Sequence, residues 1–197
     1  MQQSTVEMAS HYVHVRVLLG MVVGLGLTHL IRNLARIIDR PVRLKAYWIH
    51  LLWAISMFVY LLHFWWWEFR LAHTVEWTFE IYLFVTVYAL LLYLLCTILF
   101  PEVLDSGQDY RSLFYDRRVW FFSLLALAYL VDFADTWIKG EEYFRAAGSE
   151  YLIRNLSYVV LCAIAMATRN PIYHGVFAIA GLAYQFSWII RQFQTLS

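Results

Sequence analysis

The chain has 197 residues, 62% of them hydrophobic and 15% charged, against about 45–50% apolar and about 25% charged in an ordinary soluble domain. Fifteen Lys plus Arg against fourteen Asp plus Glu leave a net charge of +1, so no global positive field attracts a polyphosphate backbone, and nucleic acid is not an expected partner. The composition predicts a single transmembrane domain over residues 1–197, with no room for a separate soluble catalytic domain.

Six apolar runs follow in chain order, over residues 12–31, 47–69, 77–100, 119–138, 151–168 and 172–190. Each is close to the roughly 17–25 residues that cross hydrocarbon as a helix. None shows the alternating polar pattern of a barrel strand, and only helices or closed barrels satisfy backbone groups in lipid. The expected fold is therefore all-α, an integral membrane bundle of six helices with short loops. Turn formers and charges mark the breaks at Asp39-Arg40-Pro41, through residues 101–118, at Lys139-Gly140-Glu141-Glu142 and at Arg169-Asn170-Pro171. Within 101–118, Leu113, Phe114 and Tyr115 suggest a short interfacial segment lying against lipid. The first residues carry Glu7, no cation and no cleavage pattern, so the first helix is expected to be retained. Cys96 and Cys162 fall inside apolar runs and read as small buried hydrophobes. Gly20, Gly24 and Gly26 in the first helix, and Ala163 with Ala167 in the fifth, have spacings that permit close helix packing.

Cation placement sets the expected orientation. The connections after helices 1, 3 and 5 hold nine Lys and Arg and the opposite side six, with the densest cluster after the first helix. That side is expected to be cytoplasmic, leaving both termini outward. Trp65, Trp66, Trp67, Trp77, Trp137 and Trp188 fall near the outer helix ends and Trp48 and Trp120 near the inner ends, as interfacial aromatic belts require. Arg32, Arg36, Arg40 and Arg43 recur every three or four residues at the inner end of helix 1. There they read as a stripe that grips anionic lipid headgroups rather than as a voltage sensor.

Ionisable residues share a depth. Arg16, Glu68, Glu80, Asp132, Asp135 and Arg154 all fall near the outer ends of their helices, and such groups in hydrocarbon turn into the bundle or into a wet cavity. Asp132 and Asp135 are three residues apart, so they lie on one helix face. Four carboxylates against two guanidiniums leave an excess of negative charge suited to a proton or small cation. The bland alternative is interhelical pairing, with Arg154 bonded to Asp132 or Asp135, Arg16 to Glu80 or Glu68, and Glu68 reaching the headgroups.

A second reading comes from histidine. His14 and His63 share the outer depth of helices 1 and 2, and His29 and His50 the inner depth, which suggests bis-histidine haem b sites. The offsets oppose two sites: fifteen residues in helix 1 leave about 60°, but thirteen in helix 2 leave about 140°. Hydrogen-bonded interface histidines are the competing interpretation, and no cofactor is expected. No nucleophile elbow, zinc-protease, phosphate-loop or C-x-x-C motif occurs in the sequence, so it leans away from an enzyme.

Gly24-Leu25-Gly26-Leu27-Thr28 with Arg32, Tyr47-Trp48 with Trp53, His63 through Trp67, and Tyr110 to Tyr115 leading into Arg117-Arg118-Val119-Trp120-Phe121-Phe122 resemble uncharacterised multispanning bacterial inner-membrane proteins. The resemblance spans about the first two thirds of the chain and implies a bacterial inner membrane, with no activity to carry over. The functional expectation is a homo-oligomeric channel or transporter for a cation or proton. Glu80, Asp132 and Asp135 form its outward acidic vestibule, and Arg16 and Arg154 are the counter-ions. A haem-binding electron carrier and a non-transporting scaffold or sensor are the alternatives.

Overall fold

The computed structural model describes residues 2–39, 45–68, 77–101 and 109–194. Among the described residues, six helices form the bundle: α1 Gln2–Asp39, α2 Trp48–Trp67, α3 Phe79–Leu99, α4 Tyr110–Ile138, α5 Glu141–Ala167 and α6 Pro171–Gln194. Five of them, counting α1 from His14 and α5 from Gly148, are long and apolar enough to cross a membrane. The sixth carries the polar His174 and Gln185, and the latter is engaged inside the bundle, where Ser56 donates to its Oε1 at 3.0 Å. Trp66 and Trp137 near one end and Trp48 and Trp120 near the other are all exposed on the bundle surface, where interfacial rings belong.

Helix boundaries follow local chemistry. Asp109 caps α4 by accepting from the Ser112 amide at 2.8 Å and from its hydroxyl at 2.8 Å, and these bonds hold its carboxyl below the usual carboxylate range. Thr78 caps α3 through the Ile81 amide. At α6, Asn170 accepts from the Ile172 amide at 2.9 Å and Pro171 supplies the first helical φ. Two of the described positions need glycine: Gly140, at φ 111°, turns the chain from α4 into α5, and Gly148, at φ 74°, breaks α5 internally.

The start of α4 corrects the expected interfacial segment. Residues 110–118 are helical, and Leu113 and Phe114 are buried in the bundle rather than set against lipid. Phe114 packs on Tyr47, Phe122 and His174 with ring centroids 5.2–6.2 Å apart. Tyr115 is half-buried, its hydroxyl 3.2 Å from that of Tyr47.

Helix α2 is the hub, touching α1, α3, α4 and α6, while α4 packs closely along α5. Consecutive helices therefore do not form three simple hairpins, because α6 lies mainly on α2. Trp53 marks the centre, edge-on to Phe121, Phe122 and Phe177 at 5.1–5.4 Å. Cys96 and Cys162 are buried free thiols. The small-residue spacings are used unevenly. A Cβ at Gly26 would come 2.9 Å from Leu61, but one at Gly24 would meet nothing within 4 Å. Ala163 and Ala167 are exposed, and Cys162 and Ala165 face the core instead.

Candidate functional site

The ionisable residues assemble where α2 and α4 end. Both helices bring the negative end of their dipole to this point, with Glu68 as the C-cap of α2 and Lys139 as the C-cap of α4. The Lys139 ammonium donates to Glu68 Oε1 at 2.9 Å and to Asp135 Oδ2, one turn back along its own helix. The side-chain exposures are 0% for Lys139, 5% for Glu68 and 2% for Asp135, so the triad is sealed from solvent. Glu68 Oε2 and Asp135 Oδ1 are buried with no hydrogen-bond partner among the described residues. Glu68 therefore does not reach the headgroups. It turns inward because a buried cation waits there.

One turn earlier on α4, Asp132 faces α5. Its Oδ2 accepts from Arg154 at 3.1 Å and from Asn155 at 2.8 Å, and its Oδ1 from the Tyr88 hydroxyl at 3.4 Å. The Tyr88 hydroxyl lies 3.1 Å from that of Tyr60, so a hydroxyl chain runs from the carboxylate into the space between α2, α3 and α4. Tyr151 donates to the Asp132 carbonyl at 2.8 Å and meets the Thr136 hydroxyl at 2.7 Å. The Arg154 guanidinium lies between the Tyr151 and Trp188 rings, 5.0 and 4.7 Å from their centroids. Asp132 and Arg154 keep 18% and 13% of their side-chain surface exposed, making this pair the open part of the network.

The expected vestibule is only partly assembled. Asp132, Asp135 and Arg154 converge, although the two aspartates serve different partners, Asp132 those on α5 and Asp135 the Lys139 ammonium at the end of its own helix, which also holds Glu68 of α2. Glu80 stands apart, exposed in the first turn of α3. Arg16 is exposed on α1, with its guanidinium 5.5 Å from the Trp65 ring centroid. Glu68 and Lys139 take the places expected for Glu80 and Arg16. Lys139 reads from sequence as a loop cation, and its one available signal is the four-residue spacing from Asp135.

The histidines occupy different roles at the two ends. His14 is exposed on α1, and His63 is half-buried against Trp67 at 5.4 Å. His29 and His50 each direct Nε2 at a carbonyl of the α3 terminus, Phe100 and Leu99 respectively, both at 2.8 Å. A carbonyl only accepts, so both nitrogens carry the proton. The His50 ring is wedged edge-on to Phe100 and stacked on Tyr110. Among the described residues, no group of three or more His, Cys, Asp or Glu is placed to hold a metal ion. Arg32 and Arg36 are exposed on the last turns of α1, Arg36 donating to Asn33 at 3.2 Å. Arg40 and Arg43 lie outside the described residues.

Comparison with protein-family models, curated proteins and solved structures gives no match for this chain. The functional reading rests on the geometry.

Proposed function

We propose that this protein is a membrane conduit, a channel or transporter that admits protons or a small cation through the carboxylate of Asp132. The observation that carries the reading is the hydroxyl chain of Tyr88 and Tyr60 leading from the part-exposed Asp132 into the bundle. A chain of hydroxyl groups relays protons by reorienting its O–H bonds, and an intramembrane carboxylate at its mouth marks a proton pathway. Arg154 and Asn155 hold Asp132 in place, and Arg154 keeps the site from accumulating charge. The proton is favoured over a larger cation because the close packing around Tyr88, which is 2% exposed, has to be crossed without a wide pore.

In this reading the protein sits in a bacterial inner membrane with both termini outward, and Arg32 and Arg36 hold anionic headgroups on the cytoplasmic side. The exposed small residues of α5, Ala163 and Ala167, offer a flat surface to a second copy. The test is proton flux in liposomes loaded with a pH-sensitive dye. Asp132→Asn is expected to reduce flux about 100-fold, the order of effect of a positioned proton-transfer group, with Tyr88→Phe reducing it less. Wild-type liposomes without flux across a pH gradient or a gradient of common cations would overturn the proposal.

A further inference from the structure

The Glu68–Asp135–Lys139 triad is more fully buried than Asp132 and has a charge count that does not close. Two carboxylates share one ammonium, and the carboxyl ends of α2 and α4 add partial negative charge at the same point. Among the described residues, the groups around it do not restore the balance. On α4, Asp132 adds another negative charge, and on α5 the Arg154 guanidinium is already committed to Asp132. Tyr60 on α2, Tyr88 on α3 and Tyr151 on α5 are neutral hydroxyls in the Asp132 network. On α1, Arg16 is exposed, with its guanidinium over the Trp65 ring. An uncompensated buried anion is strongly unfavourable, so something positive is needed.

The geometry limits what that can be. The Lys139 side chain is 0% exposed, and the two carboxylates are 5% and 2% exposed, which leaves no open coordination sphere for a hydrated metal cation. Glu68 Oε2 and Asp135 Oδ1 are the two atoms left without a donor. A proton placed on either turns a charged acceptor with no partner into a neutral hydroxyl and needs no added volume.

We infer that Glu68 and Asp135 together bind one exchangeable proton beside Lys139, forming a second and sealed proton site at the joined ends of α2 and α4. The site does not depend on conduction: a protein that passes no protons would still hold this one. When it loads, the triad becomes neutral overall, with one carboxylate, one carboxylic acid and one ammonium. When it empties, the joined helix ends carry an unbalanced negative charge.

Infrared difference spectroscopy on the full chain in lipid, with a pH jump from neutral to alkaline in light and heavy water, tests the inference. The expected result is a deuterium-sensitive carbonyl stretch of a protonated carboxylic acid at neutral pH, amounting to one acid per chain. Glu68→Gln and Asp135→Asn should each abolish it, because either leaves one carboxylate opposite one ammonium. Absence of the band in the wild type, or its survival in both triad variants, would overturn the inference. So would its replacement by a sodium- or potassium-dependent shift of the carboxylate bands, which would assign the site to a metal cation. The flux of Asp132→Asn reports on the conduit alone, so the two proposals fail separately.

Discussion

The two ends of the bundle solve the same problem with different chemistry. At one end α2 and α4 terminate around buried formal charges, Lys139 between Glu68 and Asp135. At the other end, α3 terminates under groups from three other helices. Arg117 of α4 reaches the Ile98 carbonyl, His50 of α2 the Leu99 carbonyl and His29 of α1 the Phe100 carbonyl. The histidine end also relies on shape: His174 packs among Phe114, Tyr115 and Phe122, and Gly175 lies under the Trp48 ring, where a Cβ would come 2.6 Å from Cη2. In low dielectric a charge is strongly stabilised only when matched, whereas a neutral hydrogen bond needs one partner of the right geometry. The charged end therefore responds to changes in charge, and the histidine end to the loss of a single donor.

The sharpest way to break this contrast is Lys139→Met, which removes the ammonium and leaves two buried carboxyl groups facing two helix C-termini. It should lower stability in detergent or lipid by about 3–5 kcal/mol, measured by denaturant titration. Combining it with Glu68→Gln should recover part of that loss, and a near-neutral single variant would show that the triad's charge is not matched across helices. At the other end, His50→Phe preserves the ring that stacks on Tyr110 but removes the donor to the Leu99 carbonyl. The expected cost is smaller, about 1–3 kcal/mol for one buried unsatisfied carbonyl. A loss as large as that of Lys139→Met would erase the distinction between the ends.

The smallest expected effect is at Asp109, outside the spans. Asp109→Ala removes the α4 cap at a cost of about 1 kcal/mol. Because the folded carboxyl is held below its ordinary value of 3.8, its contribution is complete above that pH and disappears as the pH falls through the lowered folded value. The difference between wild type and Asp109→Ala should shrink in strong acid, as followed by thermal unfolding at stepped pH. Persistence of the full difference there would rule out the ionised cap as its source.

The bundle was legible because apolar runs of membrane length leave few alternatives to helix. The Asp132–Arg154 contact was also within reach, since both residues lie at matching depths on neighbouring spans. The rest of the charged cluster depends on how chain ends fold back. Lys139 stands beside Gly140, Glu141 and Glu142 and looks like a solvated turn; only tertiary packing buries it. Glu80 occupies the expected depth, but depth along a helix does not fix the direction around it. The first turns of α4 were obscured by Arg111, Asp116, Arg117 and Arg118, although Tyr110, Leu113 and Phe114 already carry the three- and four-residue spacing of a buried face.

Gly140 follows Lys139 directly, and its backbone occupies a region that side-chain-bearing L residues rarely adopt. The corner taken there ends the last turn of α4, which presents the ammonium to Glu68, and, with the break at Gly148, sets the return path by which α5 delivers its guanidinium to Asp132. A residue with no side chain of its own therefore bears on both ion pairs. Placing a branched side chain at position 140 would misdirect the closed and the part-open carboxylates in a single step, without altering any charge.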